Sequence, residues 1–496
     1  MAESVAEVVD WALAAETCMG VASQYWVADG VQGTCFNYTS PNEKMAGLLG
    51  VQGAIDTGNT AWMLASSALV MIMTPGLGFF YAGMVGEETA VNTLMMSMVS
   101  MAIVTIQWLV VGYSFTFGPG NAGFGSFEWA FFVGVGTAPS AAYGFGIPNL
   151  VFAIFQCMFA QLTPALISGS VVGRMKFSSY CIFVLLWTTL VYDPLAHWVW
   201  AWKVDESYAV VPDGWLLKLG AIDFAGGTVI HIASGFSALA AVMVLGNRYN
   251  HGDKLKPHNV PLVVLGTAML WFGWFGFNAG SALAANGQAA NAFVTTHIAT
   301  AMGFLTWMAL EQLVDGSMSA PGACAGAVAG LVCITPGCGF VTPWAALFFG
   351  LFASIFCFGT AKLKHYVGLD DTLDAFCVHG VGGVVGAFLT GLFATVNNTG
   401  GIFYGAFYGY PMLLGYQMAA ICTAAAFSFV GTYIILFVLH KTIGIRVSSD
   451  IERTGLDSSL HGGESYTQSS RNLTISPRIS KATEPSSAEP SSVTQV

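Results

Sequence analysis

Eleven apolar stretches, most of them long enough to cross a bilayer, run through residues 60 to 440 and leave little room for a water-soluble domain. A spanning helix needs about 20 mainly apolar residues to traverse a hydrocarbon core of roughly 30 Å. The reading is an all-α polytopic membrane protein, with spans at 60–83, 93–117, 149–171, 179–200, 225–246, 260–283, 293–313, 320–339, 344–363, 378–396 and 411–440. The Gly-rich pieces at 127–136 and 401–410 read as loop or half-buried segments. Charge content agrees: only 9% of residues are charged, where soluble domains carry about 25%.

Lys and Arg set the expected orientation, because cytoplasmic loops carry their excess. An odd number of spans puts the termini on opposite sides. A cytoplasmic C-terminus collects Arg174, Lys176, Arg248, Lys254, Lys256, Lys362, Lys364, Lys441, Arg446, Arg453, Arg471, Arg478 and Lys481 inside and leaves Lys44, Lys203 and Lys218 outside. N-out/C-in is therefore expected, although the first inner loop (Gly86, Glu87, Glu88) adds no positive charge. Glu3, Glu7, Asp10 and Glu16 interrupt any signal-peptide pattern, so the first span is expected to serve for export.

The domain plan is an extracellular segment at 1–58, a transmembrane domain at 59–443, a mixed charged and turn-rich segment at 444–466, and a tail at 467–496. That tail is rich in Ser, Thr and Pro and is expected to be disordered. On the outside, Cys18 and Cys35 meet an oxidising space, which leaves open a disulfide or two free thiols. Asn37-Tyr38-Thr39 is a glycosylation sequon on the same side.

Gly322, Gly326 and Gly330 recur every four residues, as do Gly276 with Gly280 and Gly382 with Gly386. Such strips let helix backbones approach closely, so the span at 320–339 is expected to be buried among others.

Chemistry is expected from the few ionisable residues within spans, since a charge at the bilayer centre costs from ~2.5 to above 10 kcal/mol. They are Asp193, His197, Asp223, His231, His297, Glu311, Asp374 and His379. Asp223 precedes His231 at the fifth span and Asp374 precedes His379 at the tenth. An Asp and a His at the same ordinal place in each block of five spans suggest an inverted repeat, with a site at its interface.

Five motifs then carry a family resemblance. They are Asp223-Phe-Ala-Gly-Gly-Thr-Val-Ile-His231, Gly273-Trp-Phe-Gly-Phe-Asn-Ala-Gly-Ser281, Asp374-Ala-Phe-Cys-Val-His379-Gly-Val-Gly-Gly383, Phe155-Gln-Cys-Met-Phe159-Ala and Gly455-Leu-Asp-Ser-Ser-Leu-His-Gly-Gly463. In this order, over residues 60 to 466, they resemble the ammonium transporter/methylammonium permease/Rhesus superfamily, most closely the plant type-2 ammonium transporters.

The resemblance implies a plasma-membrane homotrimer moving ammonium or methylammonium. Each subunit then has a pore between two inverted pseudo-symmetric five-helix halves, about 59–247 and 259–397, with the eleventh helix at 411–440 outside them. By the same resemblance, Trp200, Ser281 and Phe159 form an outer recruitment site. Phe159 and Phe277 form a gate, with Phe155 as alternative, and His231 and His379 line the pore. His297 then becomes a packing residue. Asp223 either accepts the proton or caps a helix start, and Asp374 either caps the tenth span or lines the pore. Segment 444–466 becomes regulatory, with Ser459 at the position that a kinase phosphorylates in plant relatives. Met84-Val-Gly-Glu-Glu-Thr89 departs from the family, whose first inner loop usually carries basic residues.

A Rhesus-type gas channel shares the histidine pair but usually lacks the outer tryptophan, so Trp200 and Ser281 speak against it. An ammonium sensor with little flux is the second alternative. An enzyme is not expected, as no HExxH or GxSxG accompanies the histidines. No metal, cofactor or nucleic acid is expected either.

Overall fold

Asp56 starts the first long helix: its carboxylate accepts the Asn59 amide at 2.7 Å, which supplies one of the hydrogen bonds a helix start lacks. In the computed structural model the described residues are 55–463 and 466, apart from 145, 206–208, 253–255 and 396–403, plus the backbone of a hairpin, β1 (Tyr25–Ala28) and β2 (Val31–Thr34). Cys18, Cys35, the sequon at Asn37 and the 467–496 tail lie outside the described side chains.

Helix α1 is Thr57–Met84, α2 is Glu87–Phe117, α3 is Asn149–Val171, α4 is Phe177–Trp200 and α5 is Gly227–Leu245. The second block is α6 (Val260–Gly280), α7 (Gly287–Val314), α8 (Ala320–Ile334), α9 (Ala346–Tyr366) and α10 (Phe376–Phe393), followed by α11 (Met412–Thr442). Among the described residues ten of these are long and apolar enough to cross a membrane. The eighth, α8, has 15 helical residues, fewer than the expected 320–339 span, because the helix ends at Thr335 and Pro336 follows.

Small residues decide how closely the helices pack. Gly276 and Gly280 of α6 lie against Ser66 of α1, and Gly326 and Gly330 of α8 lie against Gly303 and Ala299 of α7. A methyl group at any of these would overlap the facing helix, so the four-residue glycine strips act as contact surfaces. Gly235 of α5 faces the backbone of Gly380 on α10, where the two histidine-bearing helices cross. Helix α11 is tied to the first block by Trp187, whose Nε1 donates to Thr432 Oγ1 at 2.9 Å. Gln417 of α11 adds a paired contact, bonding both N and O of Ile222 at 2.8 and 2.9 Å.

The loops at one end of the bundle form a polar layer. Arg174 is fully buried and donates to the carbonyls of Gly246 and Asp370 and to Thr372 Oγ1 at 2.8–2.9 Å. Burial lowers its pKa to about 10. Burial alone would raise Asp370, but the Arg248 fork and the nearby Arg174 charge hold it down to about 2. After α11, Val447 N bonds Arg174 O at 3.0 Å, and Arg446 pairs with Glu452 at 2.8 Å. Two short helices follow, α12 (Ser449–Thr454) and α13 (Leu456–Leu460). The Asp457 carboxylate accepts the amides of Val91 and Asn92 at 2.9 and 2.7 Å, which docks α13 on the start of α2. At the other end of the bundle, Lys203 and Lys218 flank Asp213 at 2.9 and 3.4 Å, beside a second hairpin of β3 (Trp202–Val204) and β4 (Val210–Pro212).

Candidate functional site

A cleft of about 580 Å³ opens between the segment after α4, the start of α5 and the end of α6, with Gln156, Phe159, Trp200, Trp202, Phe224 and Ser281 among its walls. Trp200 Nε1 donates to the carbonyl of Asp223 at 2.9 Å, which fixes the indole plane. Ser281 donates its hydroxyl to the Phe277 carbonyl at 2.8 Å, so its oxygen lone pairs remain available as acceptors.

From the cleft a continuous series of rings leads inward. Phe159 meets Trp200 edge-on at 6.2 Å and stacks on Phe277 at 4.2 Å and 18°. Both phenylalanines are buried. Phe155 packs edge-on against Phe159 at 4.8 Å and supports the stack from α3. Phe277 then meets His231 at 6.1 Å, and His231 lies nearly parallel to His379 at 5.4 Å. The Nδ1 atoms of His231 and His379 are 3.3 Å apart, so one donates and the other accepts. On its other side His231 stacks on Trp274 at 5.3 Å, whose Nε1 is held by Thr335 at 2.9 Å. His231 Nε2 is buried and has no hydrogen-bond partner among the described residues.

Both histidines sit in π-helical turns, Gly227–Ile232 and Phe376–Val381, at the beginnings of α5 and α10. A π-turn inserts an extra residue per turn and recurs at functional sites. Here the wide turns sit beside glycine contacts, with Gly383 against Ile232 and Gly235 against Gly380.

Asp223 is buried, and its carboxylate accepts Gly226 N (2.8 Å), Gly227 N (2.7 Å), Thr228 N (2.8 Å), Val229 N (3.3 Å) and the Thr228 hydroxyl. Four amides at the start of α5 thus converge on one anion, which is where a helix start favours negative charge. The same device at α10 is built by Asp371, whose oxygens accept Ala375 N at 3.1 Å and Phe376 N at 2.8 Å. Asp374, expected either to cap the tenth span or to line the pore, adopts φ 59° and pairs with Lys364 at 2.6 Å, while the cap is made by Asp371. Sequence reasoning missed Asp371, yet the signal was present: Asp371 precedes His379 by eight residues, as Asp223 precedes His231. Burial raises the Asp371 carboxyl to about 6, with Lys364 opposing the rise. Asp371, Asp374 and Cys377 bring donor atoms within 4.8 Å of one another. Lys364 already supplies a cation there.

The remaining candidates have local partners. Both ring nitrogens of His197 lie 2.7 Å from backbone carbonyls, those of Thr116 and Asn121, and so hold the loop after α2. Asp193 accepts Gln107 Nε2 at 2.7 Å and links α4 to α2. Glu311 binds Ser319 N and Oγ at 2.7 and 2.9 Å at the start of α8. His297 lies on the exposed face of α7 beside Trp271 and Phe275, away from the ring series. Ser459 Oγ donates to Gly455 O at 3.3 Å on α13.

Residues 61–466 match the family model described as Ammonium Transporter Family. The chain is 44% identical over 415 residues to an ammonium transporter of Bacillus subtilis, covering 83% of this chain and 99% of that one. It is 44% identical over 424 residues to ammonium transporter 1 of Schizosaccharomyces pombe, covering 83% and 82%. The fold is similar to the crystal structure of Mep2 from Saccharomyces cerevisiae, with TM-score 0.73, 36% identity and coverage of 80% and 89%. It is also similar to a structure described as a sensor Amt protein, with TM-score 0.73, 27% identity and coverage of 81% and 98%. This multi-pass chain therefore belongs to the ammonium transporter family, whose members are transporters and not enzymes.

Proposed function

We propose that ammonium is recruited in the cleft at Trp200, Phe159 and Ser281, gives up its proton, and passes as ammonia through the Phe159–Phe277 stack and along His231 and His379. The observation that carries this reading is the unbroken ring series from Trp200 to His379, with neutral acceptors at its outer end and a facing histidine pair at its inner end.

The energetics favour deprotonation. An aromatic face holds a desolvated cation by about 2 kcal/mol, and the Ser281 oxygen accepts one of its hydrogen bonds. Potassium is held by ring faces as well, so discrimination needs a step potassium cannot take. An alkylammonium titrates near ~10.4, and at about 1.36 kcal/mol per unit its deprotonation at neutral pH costs ~4 to 5 kcal/mol. Carrying the bare charge through a dry apolar passage costs several kcal/mol or more. Two imidazoles, each donor and acceptor, suit ammonia and can relay the proton. The multiple backbone bonds at Asp223 support a structural role for it over direct proton acceptance.

The orientation proposed is N-out/C-in at the plasma membrane. The layer of Arg174, Arg248, Lys364 and Arg446 at one end supports it, with Lys203 and Lys218 at the other. The assembly proposed is a homotrimer with one pore per subunit. For regulation, a kinase adding about −1.5 to −2 charges at Ser459, next to Asp457 and its bonds to α2, would loosen α13 from its dock.

The test is uptake of labelled methylammonium by yeast lacking their own ammonium permeases, with ammonium and potassium as competitors. Uptake blocked by ammonium and indifferent to potassium supports the proposal. A chain at the cell surface that takes up no methylammonium would favour the sensor reading, or a pore too strict for the methylated analogue, instead.

A further inference from the structure

We propose that Gln156 is a recruiting residue of the outer cleft, its side-chain oxygen accepting a hydrogen bond from the incoming ammonium beside Ser281. The inference rests on the outer-site reading given above and adds to it a residue from α3.

The hydrogen-bond inventory of the cleft singles this side chain out. Its tryptophans and phenylalanines carry no side-chain acceptor. Tyr143 is engaged, its one hydroxyl proton shared between the carbonyls of Trp202 at 2.8 Å and Phe117 at 3.1 Å and its oxygen accepting Trp202 N at 3.1 Å. Ser281 keeps its lone pairs free. Gln156 also lines the cleft, one turn before Phe159 on α3, so both project from one side of the helix. Its Oε1 is cut off from solvent and accepts no hydrogen bond among the described residues.

An amide oxygen shut away without a donor is an unfavourable arrangement in a folded protein, and native structures rarely keep one without use. The terminal torsion of Gln is broad and roughly two-fold. A half-turn of the carboxamide exchanges its nitrogen and oxygen, so the idle acceptor can turn to a donor-rich cation. Ammonium brings four N–H groups. Ser281 and Gln156 accept two of them from different helices, α3 and the end of α6, while the faces of Trp200 and Phe159 meet the rest. No Asp or Glu side chain lines the cleft among the described residues. The arrangement holds a cation through neutral oxygens and ring faces, which leaves it free to move on.

Such a residue governs capture and not the later passage. Gln156→Leu is expected to raise the apparent KM for ammonium about tenfold, the worth of one hydrogen bond to a charged group, with the maximal rate kept. Gln156→Glu keeps the acceptor and is expected to restore a KM at or below the parental value. The experiment measures concentration-dependent uptake for both variants and for Trp200→Leu, each normalised to surface protein, with thermal stability of the purified chains recorded alongside. An unchanged KM in Gln156→Leu, with a raised KM in Trp200→Leu, overturns the role of Gln156 and leaves the outer site standing. Unchanged KM in both variants overturns the outer site itself. A Gln156→Leu chain whose maximal rate falls while its KM stays constant, or whose defect Gln156→Glu fails to rescue, also refutes the inference.

Discussion

Replacing Asp223 with Asn separates its two roles, because the change removes the negative charge while keeping size and one acceptor. In the structure Oδ1 holds the amides of Gly226 and Gly227, and Oδ2 holds those of Thr228 and Val229 and the Thr228 hydroxyl. The Asn oxygen serves one of these edges, and its NH2 then faces the donors of the other. At least two buried amides lose their acceptor, at about 1–3 kcal/mol each. The total, roughly 2–6 kcal/mol, is a large part of the 5–15 kcal/mol that typically separates folded from unfolded domains. A structural Asp223 therefore predicts that Asp223→Asn melts at least several degrees lower and reaches the surface poorly. The assay is detergent-extracted thermal stability by size-exclusion chromatography, read beside uptake per surface molecule. An Asp223→Asn chain with parental stability and no uptake would refute the structural role and return Asp223 to the proton pathway.

Other consequences follow from the same contacts. Gly235→Val places a side chain on the Gly380 backbone beside His379 and is expected to abolish uptake, checked against surface expression. Arg174→Met leaves three carbonyl and hydroxyl acceptors unpaired and is expected to cost about 3 kcal/mol or more, read as a lower melting temperature. Asp370 is held below its unfolded value, so its contribution is complete above a pH of about 4 and is lost as the pH falls through about 2. Melting temperatures of the purified chain across that window should fall, and Asp370→Asn should show a smaller fall. Ser459→Asp is expected to reduce uptake while Ser459→Ala leaves it unchanged; parental transport by Ser459→Asp would contradict phosphoregulation there.

Apolar run length made most of the fold legible, since a membrane leaves the backbone few alternatives to helix. Positions that depend on contacts between distant segments were harder. The α8 glycine strip was readable as a packing surface, but the point where α8 stops depends on the Thr335-Pro336 turn that holds Trp274. Asp371 and Asp374 both precede the tenth span, and only the hydrogen bonds of Ala375 N and Phe376 N in the folded chain distinguish Asp371 as the cap. The partners of His197 and Asp193 lie more than seventy residues away along the chain, so their structural roles carry no local sequence signature. Gln156 sat inside a recognised motif, yet only the unpaired state of its oxygen distinguishes it from a filler residue.

The most direct measurement of the central claim is parallel ammonium and potassium flux through proteoliposomes carrying the parental chain or the His231→Leu/His379→Leu double variant, at matched protein density. The account predicts that the parental chain passes ammonium and excludes potassium, and that the double variant loses either transport or that exclusion. Ammonium flux with full potassium exclusion in the double variant would contradict it.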